Sequence, residues 1–316
     1  MRSKVDKQLL YNVARMYYVE GKKQDEIAAI IERSRSSISM FLTEARNEGI
    51  IEIKLRNPMS NNDELSGLLE SKFDLKKCYV IPTAVKGTEL LIKLVAERAI
   101  DIFNDLLEEQ DIIGVAWGRT CYEFMSQYYS DMNFMNLNLV PLIGGSNRPM
   151  KRYQLNEMVR DFAEKLGATP HFIHAPAIAD TDEDLILYNS SAMMKRIGKL
   201  WSELNFAVVS IGVQTFDSAL GETGNLGSRV SEAEEFKEAV GDICGWPISK
   251  DGEFLKGPTT DLLLACVPEK LKATDKVLGL VAGIEKRHSI KAGLKTGIFD
   301  YLVIDEQTAK AVSGII

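Results

Sequence analysis

The sequence predicts an α/β protein in two parts, a small helical module followed by a large domain built on a parallel sheet. Three observations predict it. Residues 24–53 read as two short amphipathic helices joined by a tight connection, with a β-rich segment after them. Beyond residue 57, apolar strand-like runs alternate with amphipathic helices. Strands buried on both faces and separated by helices form parallel sheets. Between the two parts, Arg56-Asn57-Pro58 through Asn61-Asn62 breaks both patterns and marks a linker. The boundaries are therefore 1–56 and 57–316.

In chain order, Leu9, Leu10, Val13, Met16 and Tyr17 recur at helical spacing, and Gly21 ends that first helix. From Gln24 to Ile31 a second helix turns Ile27, Ala28 and Ile31 to one side. Glu32 and Arg33 make the connection, and Ser34 is a good N-cap for a third helix with Ile38, Phe41, Leu42 and Ala45 inward. Helix, short turn, helix is the arrangement whose second helix enters the DNA major groove. Its outer face carries Arg33, Arg35, Ser36, Ser37 and Ser39, with Gln24 and Ser34 beside it and no acid between Arg33 and Thr43. Guanidinium forks and short hydroxyls suit phosphates and base edges. Ile50–Leu55 then resembles a wing. Glu32 stands where such turns usually place glycine, so either the turn tolerates it in a strained conformation or the turn takes a different shape.

The charge divides the same way. Residues 1–56 hold 11 Lys/Arg against 8 Asp/Glu, whereas the remainder holds 27 against 37. A basic module on an acidic domain fits a DNA reader carried by a domain that does not touch DNA. The excess of three is small, so the reading expects a dimer or tetramer. No apolar run reaches membrane-spanning length and no signal-peptide core opens the chain, which excludes a membrane partner and points to the cytoplasm. The four cysteines are scattered without a CxxC pair and histidines number three, so no metal or other cofactor is expected.

In the large domain, strand-like runs lie at 77–81, 112–116, 137–142, 206–211, 276–281 and 301–304. Helical stretches run over 88–108, 119–130, 153–166, 184–203, 287–296 and 306–313. Ligands of such sheets bind outside the carboxyl ends of the strands. The loops there are Trp117-Gly118-Arg119-Thr120, Gly144-Gly145-Ser146-Asn147-Arg148, Gly212-Val213-Gln214, the turn Gly241–Trp246, and Ala282–Lys286. Glycine at a strand-to-helix turn lets backbone amides approach an anion at the helix N-terminus. Arg119 and Thr120 would add a guanidinium and a hydroxyl, so a phosphorylated ligand is the natural occupant. Each loop can equally be a plain tight turn, Asp242 a turn carboxylate, Lys286 a solvated lysine, and Trp117 and Trp246 packing residues.

Taken together, Gln24–Ile27 with Ser34-Arg35, Ala45-Arg46 through Gly49-Ile50, Asp111–Gly118 with Thr120, Gly144-Gly145, Gly241–Cys244, and Lys286 through Asp305-Glu306 and Ala309 resemble the SorC family of bacterial sugar-binding transcriptional regulators. The likeness spans nearly the whole chain. It implies an N-terminal winged helix-turn-helix, a Rossmann-like effector domain similar to sugar-phosphate isomerases, and a tetramer whose grip on operator DNA responds to a phosphorylated sugar or polyol. Carried over by position, Gly118, Arg119 and Thr120 would hold the phosphate, and Asp242 and Lys286 the sugar hydroxyls. Gln154 and Asn156 would supply further polar contacts, with Gly144, Gly145, Ser146 and Gly212 shaping the pocket. Met40 and Arg33 depart from the family pattern near the reading surface, so the operator sequence does not transfer.

Two functions are compatible with these residues. The first is a ligand-responsive DNA-binding regulator of a carbohydrate operon, with no catalytic residue. The second is a sugar-phosphate isomerase or deaminase carrying a DNA-binding module. It would need a general base from Asp242, Asp217 or Glu285, with Lys286 for a Schiff base. No two of these are paired by spacing.

Overall fold

The computed structural model describes residues 6–51, 62–82, 87–129, 134–145, 154–213 and 233–315. The chain divides into two compact units, residues 1–58 and 59–316.

The described residues of the first unit form three helices, α1 (Lys7–Tyr18), α2 (Gln24–Ile30) and α3 (Arg35–Asn47). Leu10, Val13, Ala14, Ile27, Ile38, Phe41, Leu42 and Ala45 form its core, with Ile50 and Ile51 packed against it. The inward residues of α3 are the four that the spacing predicts. Ser34 caps α3, its Oγ accepting from the Ser37 amide at 3.2 Å. Glu32 adopts φ 52°, so of the two alternatives the turn keeps its shape and holds this residue in the left-handed conformation. The expected wing lies outside the described residues beyond Ile51.

The second unit is organised on a seven-stranded sheet. Its strands are β1 (Lys77–Ile81), β2 (Ile112–Val115), β3 (Asn138–Pro141), β4 (Thr169–Pro170), β5 (Phe206–Val209), β9 (Lys276–Val281) and β10 (Tyr301–Asp305). They lie in the order β1-β10-β9-β5-β2-β3-β4, and every pairing is parallel. Three further strands, β6 (Gly212–Val213), β7 (Gly241–Ile243) and β8 (Trp246–Ile248), make a small antiparallel sheet. β2 leads to β3 on one side, whereas β5 is followed by β9 and β10 on the other. The side on which successive strands are added thus switches between neighbouring β2 and β5.

Helices α4 (Asp63–Phe73), α5 (Thr88–Leu106), α6 (Arg119–Gln127) and α7 (Leu155–Leu166) flank the sheet. Phe103 of α5 packs edge-on against Phe124 of α6 and Phe206 of β5, with centroids 5.3 and 5.0 Å apart. Phe124 in turn meets Phe162 of α7 at 5.5 Å. This aromatic cluster fixes α6 against the sheet, and Lys165 Nζ caps its far end by donating to the Met125 and Ser126 carbonyls at 3.2 and 2.5 Å.

Two expectations are corrected. The single helix over 184–203 is two, Asp182–Ser190 and Ala192–Ser202, because Ser191 is extended and caps the second through the Met194 amide at 3.1 Å. The turn at 241–246 is a hairpin, β7 and β8, closed by Cys244 (φ 51°) and Gly245 (φ 83°). Two successive positive φ values match the twist of the flanking strands. Helix α4 and strand β4 were not foreseen from the periodicity.

Candidate effector site and nucleic-acid interface

On the first unit, Arg33, Ser34, Arg35, Ser36 and Ser39 are exposed, with Ser37 half-buried. They surround the N-terminal end of α3, where free amides and the helix dipole favour a phosphate. Ser34 Oγ lies 2.8 Å from Ser36 Oγ and 2.9 Å from Ser37 Oγ, so its hydroxyl holds the helix start together. Arg35 Nε lies 3.6 Å from Asp25 Oδ1 across the helix pair, an exposed contact that a stronger anion can displace. Gln24, half-buried, begins α2. Met40, 52% exposed, shares the outer face of α3.

In the second unit Gly118, Arg119, Thr120, Gly212 and Lys286 lie beyond the carboxyl ends of β2, β5 and β9, at the switch point where open α/β sheets bind ligands. Gly118 ends the β2 loop with φ 126°, and a Cβ there would stand 2.7 Å from Ser210 Oγ after β5. Only glycine allows the two loops to approach so closely. Helix α6 starts immediately after it without a side-chain cap. No acceptor among the described residues meets the amides of Arg119, Thr120 or Cys121. Arg119 is exposed and Thr120 is buried, and both lie in the first turn of α6.

Asp242 lies on β7, paired with Gly212 on β6. It is 5% exposed; Oδ2 accepts from the Gly245 amide at 3.1 Å, and Oδ1 has no hydrogen-bond partner among the described residues. Burial pushes this carboxyl up to about 6, against the pull of the Gly245 amide and of Lys286. Lys286, at the end of the 3-10 turn Ile284–Lys286, is half-buried. Its pKa is lowered, first by burial and then by Arg119, while Glu285, Asp242 and Cys121 oppose the shift. Two cations, a buried carboxylate and an uncapped helix start therefore share one region. Such a set can hold an anion at one end and hydroxyl groups at the other.

Several supporting residues were missed from sequence. Asp305, fully buried at the end of β10, accepts from the Gly283 amide through Oδ2 at 3.0 Å and from the Thr308 amide through Oδ1 at 3.0 Å. It ties the Lys286 turn to the sheet. Ser289 Oγ donates to the Val240 carbonyl at 2.5 Å and ties the following helix, Arg287–Lys295, to the start of the hairpin. Ser210 and Cys121 interact beneath Gly118, and burial pushes the Cys121 thiol up to about 12. An Asp at a strand end just before a helix is a visible N-cap signal, but its reach to Gly283 belongs to the tertiary structure.

Not every predicted residue joins this cluster. The amides of Gly144 and Gly145 donate to the carbonyls of Leu264 and Ala175 at 2.9 and 2.8 Å. They do not form the expected anion nest; Gly144 instead permits a close crossing, because a Cβ there would lie 2.4 Å from the Pro176 carbonyl oxygen. Asn156 donates to the Ile173 carbonyl at 2.9 Å and accepts from its amide at 3.2 Å, so both ends of its side-chain amide are engaged. Gln154, half-buried, precedes α7. Ser146 and Asp217 lie outside the described residues.

Residues 57–313 match the sequence profile of the sugar-binding domain family. The chain belongs to the SorC family of sugar-binding transcriptional regulators. It is 26% identical to the sorbitol operon regulator of Klebsiella pneumoniae over 311 residues, covering 98% of this chain and 99% of that protein. It is 24% identical to the deoxyribonucleoside regulator of Bacillus subtilis over 305 residues, 96% and 97% of the respective lengths. The crystal structure of full-length SorC from K. pneumoniae superposes with a TM-score of 0.75 at 25% identity, covering 98% of this chain and all of that one. Among the described residues no helix is long and apolar enough to cross a membrane.

Proposed function

We propose that this regulator binds operator DNA through α3 and that a phosphorylated sugar or polyol at the β2–β5–β9 edge controls its grip. The observation that carries the proposal is the buried Oδ1 of Asp242, unpaired among the described residues, beside Lys286, which Arg119 and its open helix start adjoin. An orphaned buried acceptor calls for a donor, and a sugar hydroxyl supplies one. The phosphate would sit on the Gly118–Thr120 turn with Arg119, and Lys286 would bridge the phosphate end and the hydroxyl end. The protein acts in the cytoplasm as a homo-oligomer, with operator DNA as its macromolecular partner and without a cofactor.

Ligand changes DNA affinity only if it binds two arrangements of the protein unequally. A tenfold effect needs about 1.4 kcal/mol, within reach of one charge-assisted phosphate contact. The enzymatic alternative finds no carboxylate paired with Asp242 among the described candidates. Glu285 is exposed, and the cation acting on the buried Asp242 carboxyl is Lys286.

A thermal-shift screen of phosphorylated pentoses, hexoses and polyols beside their unphosphorylated forms tests the reading. The expected result is a rise in Tm for a phosphorylated compound, which then alters a gel shift on the promoter DNA of the regulated operon. Equal shifts for the unphosphorylated partner would remove the phosphate from the proposal.

A further inference from the structure

Arg35 is the first residue of α3, the end from which a reading helix reaches base edges. Its Nε lies 3.6 Å from Oδ1 of Asp25, the second residue of α2, and both side chains are exposed. Ile27 and Ile38 share the core that fixes these two helices, so the fold sets the pair. The neighbouring groups are occupied. Glu26 Oε2 accepts from the Lys23 amide at 2.8 Å, and Arg33 Nη1 donates to the Glu32 carbonyl at 3.2 Å. Among the described residues Asp25 is the carboxylate within ion-pair reach of Arg35.

A carboxylate on a DNA-facing surface repels phosphates, and an exposed ion pair adds little stability. Its place against Nε gives it another use. A guanidinium held through Nε keeps both Nη groups free, and that end offers two donors to O6 and N7 of guanine. The guanine edge carries no charge and does not compete with Asp25 for Nε, whereas a phosphate does. Arg35 therefore keeps Asp25 when it meets guanine and must give it up to contact a phosphate on unrelated sequence. We propose that Asp25 is a positioning residue for DNA specificity, which aims Arg35 at a guanine and penalises its use as a phosphate contact. This rests on α3 being the DNA-reading helix, and it adds which base Arg35 takes and what enforces the choice.

Fluorescence anisotropy tests it, with the full chain titrated at several salt concentrations against the promoter DNA of the regulated operon and against random duplex. In Asp25→Asn, operator affinity is expected to fall and random-duplex affinity to rise, each about threefold, so that their ratio drops roughly tenfold. The salt slope on random duplex should steepen by about one, the mark of a gained phosphate contact. In an Arg35→Ala background the same change should have no effect on the ratio or the slope. Operator carrying 7-deazaguanine, which lacks N7, should bind the wild type more weakly and Arg35→Ala no more weakly than before. Asp25→Ser, which lacks the carboxylate but suits a helix start, should reproduce Asp25→Asn; divergence of the two would assign the effect to the stability of α2 and overturn the proposal. An equal rise on both duplexes, an effect that persists without Arg35, or an indifference of the wild type to 7-deazaguanine overturns it as well. If Arg35→Ala keeps the wild-type preference for operator, the reading of α3 itself fails; if Arg35→Ala loses that preference and Asp25→Asn keeps it, only the role of Asp25 fails.

Discussion

Gly212 and Asp242 face each other across the β6–β7 ladder so closely that a Cβ on Gly212 would lie 2.0 Å from Asp242 Oδ1. The unpaired carboxylate oxygen thus owes its position to a missing side chain. Gly212→Ala is expected to turn the carboxylate out of place and to lower effector affinity at least tenfold. DNA binding without effector should persist. Calorimetric titration with the effector found by the screen reads this directly, and unchanged affinity would mean that Asp242 does not face the ligand.

Asp242 also sets a pH dependence. Its folded pKa, about 6, lies above the ordinary value of 3.8, so the folded state binds the proton more tightly than the unfolded chain. Stability from this group is therefore greatest below pH 4 and falls as pH rises through 6. Asp242→Asn should be more stable than the wild type at pH 7, on the order of 1–3 kcal/mol, with the gap closing toward pH 4. A hydroxyl donor on Oδ1 favours the ionised form, so effector should bind more tightly at pH 7 than at pH 5. Tm and affinity measured across that range check both signs.

Arg119 and Lys286 separate ligand sensing from DNA reading. Arg119→Ala and Lys286→Ala should each reduce the effector response in gel shifts by tenfold or more and leave effector-free DNA affinity within about twofold. A charge-assisted hydrogen bond of roughly 1.5–3 kcal/mol sets that scale. Wild-type response in Arg119→Ala would move the phosphate elsewhere.

The DNA-reading helix divides similarly. Ser34→Ala removes the cap to the Ser37 amide and should cost about 1 kcal/mol in the stability of the first unit. Arg35→Ala keeps the cap and should abolish specific binding while leaving Tm unchanged. Competition between operator and random DNA distinguishes the two losses.

Asp305 is a positioning residue for Lys286. Asp305→Ala leaves the amides of Gly283 and Thr308 without their acceptor and should cost about 2–4 kcal/mol. Asp305→Asn keeps one acceptor oxygen and should recover part of the stability. If Asp305 serves the Lys286 turn, effector affinity in Asp305→Asn drops further than its Tm loss accounts for.

The sequence alone determined the alternation of apolar strands and amphipathic helices, the inward face of α3, and the loops at the carboxyl ends of the strands. These depend on periodicity and turn chemistry, which neighbours along the chain express. At Glu32 it left two outcomes open, a strained residue or a different turn, and the structure takes the first with φ 52°. What tertiary structure decided is which loops converge. Gly118 and Gly212 read the same as Gly144 and Gly145 in the chain. The first two meet Ser210 and Asp242 at the switch point between β2 and β5, while the second two spend their amides on Leu264 and Ala175. Likewise, the Asp242 carboxylate becomes an unpaired buried acceptor only when the β6–β7 pairing closes over it. Hydrogen-bond satisfaction and burial depend on residues far apart in sequence, so no local pattern records them.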